Sequence, residues 1–136
     1  MIRRPPRSTL SSSSAASDVY KRQVHYARIN AHLPLQADAL HDQLATLREH
    51  VLALACTPHD PAPGYLRQVL EARVACSDLT LAASQAAMMH AGARGYLEGS
   101  TVSRLQREAW FVAIITPSIR HLRHELAGMA PTAKQG

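Results

Sequence analysis

The chain has 136 residues, a length that suits one domain, and 15 basic against 10 acidic residues give it a net charge of +5. Five of those basic residues and one acid lie in the first 23 positions, so the remainder carries ten against nine, or +1, and a nucleic-acid reading built on charge has no footing. No apolar run approaches the roughly 18 residues of a membrane span, and two cysteines, Cys56 and Cys76, make no disulfide framework, which points to a reducing cytoplasm.

The leader, residues 1–23, is rich in Arg and Ser and poor in acids. Two origins fit it. Such a composition resembles an organelle transit peptide, which would place the protein in mitochondria; the string also resembles the translation of a sequencing-library adapter. Pro5-Pro6 interrupts the amphipathic helix that a transit peptide uses. Under either origin the leader is set apart from the domain at 24–136 and is expected to be disordered. Beyond it Lys occurs once, at Lys134, against nine Arg, a bias that resembles a GC-rich bacterial genome.

Residues 24–35 are ambiguous, and Pro34 ends any helix begun upstream. From Gln36 the reading is definite. Ala37, Leu40, Leu44, Leu47, Val51 and Leu54 alternate by three and four, the signature of one apolar helical stripe. Asp38 and Asp42 suit the positive end of the helix dipole. Thr57-Pro58 stops this helix, and 58–64 reads as a loop. A second helix is expected from Tyr65 to His90, with Tyr65, Val69, Ala72, Cys76, Leu79, Ala83, Ala86 and His90 in one stripe. Its residues are mostly small, so a neighbour can approach closely.

Gly92, Gly95 and Gly99 break the pattern. A short helix is expected from Thr101 to Trp110, and a last one from Thr116-Pro117 to Ala127, with Thr as N-cap and Pro at the first helical position. No stretch alternates with period two. The expected fold is all-α, two long antiparallel helices and two shorter ones, an incomplete four-helix bundle.

Three short segments could carry chemistry. A helix ending in Ala91-Gly92-Ala93-Arg94-Gly95-Tyr96 needs glycine where the backbone turns through positive φ or where another group comes close. Arg104 and Arg107 lie three apart on neighbouring sites of one helix face, with Glu108 beside them. The apolar run Val112 to Ile115 follows, and Trp110 and Phe111 read as core. Among eight histidines, His121-x-x-His124 and Cys56-x-x-His59 have ligand-like spacing. A zinc site needs about four ligands, and a di-iron bundle needs Glu-x-x-His pairs, which this sequence lacks; no metal site is expected.

The order of these segments resembles the C-terminal helical domain of the acyl-CoA dehydrogenase flavoproteins. In that family a Gly-Gly-x-Gly-Tyr turn precedes an Arg-x-x-Arg-Asp helix and a loop bearing the catalytic glutamate. The resemblance runs over about Leu35 to Ala127 and is most specific from Ala91 to Ser118. It implies that Gly92, Ala93, Gly95 and Tyr96 approach the ADP half of FAD, often the FAD bound mainly by the partner subunit. Ala93 stands for the second glycine, and Met89 for a commonly present Gln. Arg107 and Glu108 are implied to brace the following loop. The glutamate that takes the substrate α-proton falls on Ile115, which cannot accept a proton. Either the base comes from another helix upstream, or the protein is not a standard dehydrogenase. The implied whole is a homodimeric or homotetrameric, soluble, cytoplasmic oxidoreductase acting on acyl-CoA or acyl-carrier thioesters, with no nucleic-acid or membrane partner. This chain would be its C-terminal piece. A different class also fits the stripes at 37–54 and 65–90: a small cofactor-free all-α module for self-association or interaction.

Overall fold

In a computed structural model, the described residues are 12–62, 64–115 and 117–129, with the side chains of 12–20 outside the description. Five α-helices follow in order: α1 (Ser12–Asn30), α2 (Ala37–Ala55), α3 (Tyr65–Ala91), α4 (Thr101–Ile114) and α5 (Ile119–Gly128). A single 3-10 turn, Gly92–Tyr96, joins α3 to α4. Among the described residues there is no strand, so the all-α expectation holds. No helix among them is long and apolar enough to cross a membrane.

The N-terminal region departs from expectation. Disorder was expected through residue 23, yet Ser12 onward is helical as far as Asn30; residues 1–11 lie outside the described ones. Serines are only modest helix formers, but no Gly or Pro interrupts the chain between Ser12 and Leu33. The helix ends four residues before Pro34, with Ala31 N–H donating to the Ala27 carbonyl at 3.0 Å. This helix belongs to a unit ending at Pro34; α2 to α5 form a second unit beginning at Leu35.

In the second unit α3 is the axis, and α2, α4 and α5 all pack on it. Two long-range hydrogen bonds hold α2 and α3 antiparallel. Tyr65 donates its hydroxyl to the Leu54 carbonyl at 3.0 Å, joining the start of α3 to the end of α2. At the other end, His90 Nε2 lies 2.9 Å from the Leu35 carbonyl. Between these pins the contact is narrow. Leu40, Leu47 and Leu54, seven apart, are half-buried, whereas Leu44 and Val51 remain 54% and 37% exposed, and no residue of α2 is buried. Only one line of the stripe meets α3, as along a coiled-coil seam.

The packed centre lies instead between α3 and the two short helices. Its buried apolar residues are Ala72 and Ala86 of α3, Ala109 and Ala113 of α4, and Leu122 of α5. Four of the five are alanines, so the helices approach with little side chain between them. A polar bridge crosses the same seam. With its amide turned to satisfy both neighbours, Gln106 donates to the Ser84 carbonyl at 3.0 Å and accepts from Trp110 Nε1 at 3.1 Å. On α5, Arg123 grips Asp78 of α3 with both carboxylate oxygens, at 2.8 and 2.9 Å.

Two boundaries shift. α4 runs on to Ile114, where a loop was expected after Trp110. Nothing between Trp110 and Ile115 breaks a helix, and Ala113 falls four residues after Ala109, on the buried face. α5 starts at Ile119 with Ser118 in the extended N-cap position, not at Pro117; Thr116 lies outside the described residues. The Ser118 hydroxyl lies 3.0 Å from His121 Nδ1 across the first turn.

Candidate functional site: a glycine turn and an apolar groove

The turn at 92–96 is built by two glycines for different reasons. Gly92 closes α3 with φ 60° and ψ −148°, and its N–H still bonds the Met88 and Met89 carbonyls. That conformation is essentially restricted to glycine. Space is no constraint there, since a Cβ at Gly92 would meet nothing within 4 Å. Gly95 is buried, and its Cβ would stand 3.0 Å from Met88 Sδ and 3.1 Å from Met88 Cε. Here the constraint is close approach, against the end of a flexible side chain. Ala93 has no positive φ, so the alanine in the second glycine position is not strained. Tyr96 is 85% exposed, and Met89 is 59% exposed. The chain leaves the turn through Gly99 at φ 76°, and Ser100 caps α4 by accepting from Ser103 N–H at 3.4 Å.

This separation of roles gives a test of the turn. Gly92→Ala is expected to destabilise the unit by about 1–3 kcal/mol through backbone strain. Gly95→Ala is expected to cost less than about 1 kcal/mol, because Met88 can swing aside. Chemical denaturation of the two variants beside the parent checks the order, and equal losses would contradict it.

The arginine pair is placed differently from the implied brace. Arg104 Nη1 bonds Glu108 Oε1 at 2.7 Å, and Arg107 Nη1 bonds the Ser103 hydroxyl at 2.8 Å. Both are contacts within α4, one turn apart, and Arg107 is not the partner of Glu108. Arg104 and Glu108 are each more than half exposed, so the pair is worth only a few tenths of a kcal/mol. Trp110 and Phe111 are corrected as well. They read as core, but they are 55% and 62% exposed. Alanines at 109 and 113 occupy the buried face, which turns the large side chains away from α3.

Ile115 lies on the wall of a groove that sequence periodicity did not reveal. The groove, about 440 Å³, opens between the end of α2 (Val51, Leu54), the first half of α3 (Val69, Cys76), the end of α4 (Ile115) and α5 (Leu122). Arg73 and Ser77 add its polar edge, and among the described residues no carboxylate lines it. Hence neither α2 nor the first half of α3 brings a general base to Ile115. From Cys76 in this groove to Gly92 in the turn is on the order of 24 Å along α3, at 1.5 Å per residue. The turn and the Ile115 position are therefore two places, at opposite ends of the axis helix.

The histidines do not converge. Among the described residues no three His, Cys, Asp or Glu side chains are grouped to hold a metal ion. His121 is engaged with Ser118, and Cys56 and His59 are exposed.

The chain matched no protein-family model, no curated protein and no solved structure. The class of molecule shown is an all-α helical unit centred on one long helix.

Proposed function

We propose that this chain is the C-terminal helical part of an FAD-dependent oxidoreductase of the acyl-CoA dehydrogenase type, with an incomplete bundle of that kind. Its share is a backbone wall of the FAD site and part of a subunit interface. The observation that carries the reading is the turn at 92–96. Gly92 adopts a conformation that a side chain would strain, the space around it is open, and Tyr96 beside it presents an exposed ring. Such a turn lets the polar backbone come near a flat, anionic ligand without a side chain intervening. The order of turn, then Arg104-x-x-Arg107, on two helices that pack together, supports the same reading.

In this reading Gly92, Ala93, Gly95 and Tyr96 would lie against the ADP half of FAD. FAD in the intact protein supplies hydride acceptance during α,β-dehydrogenation of an acyl thioester. This chain supplies no base for the α-proton at the family's position. Ile115 is apolar, its groove holds no carboxylate among the described residues, and Glu108 is engaged by Arg104. Proton abstraction is therefore assigned to no residue of this chain.

The test is the genomic reading frame around Val24 and, should it extend into a longer protein, the flavin content of that protein. Flavin absorbance near the stoichiometry of the subunit is expected, with weakened retention in Gly92→Ala. The 136-residue chain alone is expected to show no acyl-CoA dehydrogenation. A colourless longer protein, or turnover by the isolated chain, would overturn the reading.

A further inference from the structure

We propose that Ser118 and His121, at the start of α5, form a nucleophile–base pair that hydrolyses carboxylic esters whose apolar acyl part lies in the neighbouring groove. Ser118 is the N-cap residue of α5, in extended backbone, where a serine hydroxyl ordinarily accepts from a backbone N–H of the first turn. Ser100 does so at the start of α4, accepting from Ser103 N–H. The Ser118 hydroxyl caps no N–H and lies instead 3.0 Å from His121 Nδ1. With the ring proton on Nε2, Nδ1 accepts from that hydroxyl. This is the contact through which a general base activates a serine.

Backbone and groove supply the other two requirements. The Ser118 carbonyl takes the first bond of the helix, from Leu122 N–H at 3.0 Å. The N–H groups of Ile119, Arg120 and His121 therefore stand ahead of the ladder. Donors at a helix N-terminus favour negative charge, and these lie next to the nucleophile, where an oxyanion develops during attack. One residue upstream, Pro117 belongs with Ile115 and Leu122 to the wall of the 440 Å³ groove. Its size is in the range of small-molecule sites, and its lining is mostly apolar. An ester of an apolar acid lays its chain in the groove and presents its carbonyl at the rim.

In the reaction the Ser118 oxygen bonds the carbonyl carbon while its proton passes to His121 Nδ1. The bond from that carbon to the alcohol oxygen then breaks, and the proton leaves with the alcohol. Water, deprotonated in turn by His121, cleaves the acyl-serine to the free acid and restores the hydroxyl. Among the described residues no carboxylate is bonded to His121, so the pair works without an orienting acid and its rate is modest. No flavin enters this reaction, and the inference stands apart from the oxidoreductase reading.

Hydrolysis of p-nitrophenyl butyrate by the full chain, with labelling by phenylmethanesulfonyl fluoride, tests the pair. The parent is expected to exceed an equal concentration of free imidazole by roughly a hundredfold, as a positioned general base allows. One sulfonyl group is expected on Ser118, located by mass spectrometry. Ser118→Ala and His121→Ala are each expected to lower hydrolysis at least tenfold with helical circular dichroism unchanged. His124→Ala, at an exposed histidine of the same helix, is expected to leave it intact. The parent should prefer butyrate to acetate esters, and Val51→Asp, on the groove wall, should remove that preference. A parent no faster than imidazole overturns the proposal. So do hydrolysis that survives in Ser118→Ala, a sulfonyl group on another residue, and a preference untouched by Val51→Asp.

Discussion

Leu122→Ala is expected to lower the unfolding free energy of the α2–α5 unit by about 2–3 kcal/mol. Leu122 is 3% exposed and, among the described residues, is the only large side chain in the buried apolar set, the other four being alanines. Truncating it removes the apolar contact through which α5 holds α3, and the alanines around it are too short to fill the space. The loss falls toward the lower end of the usual Leu→Ala range because Leu122 also borders the open groove, where neighbours can relax and water can enter. For a unit of about 100 residues the midpoint should fall by roughly 10–20 °C in thermal unfolding. The Arg123 grip on Asp78 cannot compensate, since both side chains are about half exposed. A shift below a few degrees would mean that α5 contributes little to stability.

Ala113→Leu is expected to destabilise the unit by about 1–3 kcal/mol, although leucine is a good helix former and more apolar. Ala113 is 2% exposed where α4 lies against α3. Three extra carbons there must push the helices apart, and the packing of Ala109, one turn away on the same buried face, loosens with it. The Gln106 bridge between Ser84 and Trp110 crosses the same seam, so separation strains that polar link too. Ala127→Leu, at an exposed position of α5, is the control and is expected to stay within about 0.5 kcal/mol of the parent. Urea unfolding of the three proteins decides the matter. A neutral Ala113→Leu would show that the seam has slack.

The two expectations rest on one feature of the sequence, the abundance of alanine at helical spacing. In α3 the small residues at 72, 83 and 86 already announced a helix that another could approach closely, and Ala72 and Ala86 are buried. The spacing did not say which neighbour would come. The long stripe of α2 meets α3 along a single line of half-buried leucines, with no fully buried residue. The fully buried apolar residues lie instead where α3 meets α4 and α5, whose own sequences looked less regular. Periodicity reports that a helix has an apolar face; how much of that face a neighbour covers depends on side-chain volumes on both sides.

The same limit explains the errors at α4. Trp110 and Phe111 are the largest apolar side chains in the chain's last third, and size alone argued for burial. Two alanines on the facing stripe took that place, because only small residues fit the narrow gap. The ion pairs were equally hidden. Arg104, Arg107 and Glu108 offered several i, i+3 and i, i+4 combinations, and rotamers chose Arg104 with Glu108 and Arg107 with Ser103. In the turn, by contrast, residue types were enough to place the irregular backbone. Gly92 and Gly99 both take positive φ, as only glycine does without strain. The groove at Ile115 had no signal at all, since its walls run from Val51 on α2 to Leu122 on α5, far apart in the chain.

By itself the sequence determined the all-α class, the extents of α2 and α3 to within a residue or two, the turn at 92–96 and the absence of a carboxylate at Ile115. These are local properties: helical period, backbone freedom at glycine and the chemistry of single side chains. Tertiary structure alone decided that α3 is the axis, that alanines form the centre, and that the aromatic ridge of α4 stays outside beside an apolar groove. Those outcomes depend on which surfaces can approach closely, and that is a property of pairs of helices.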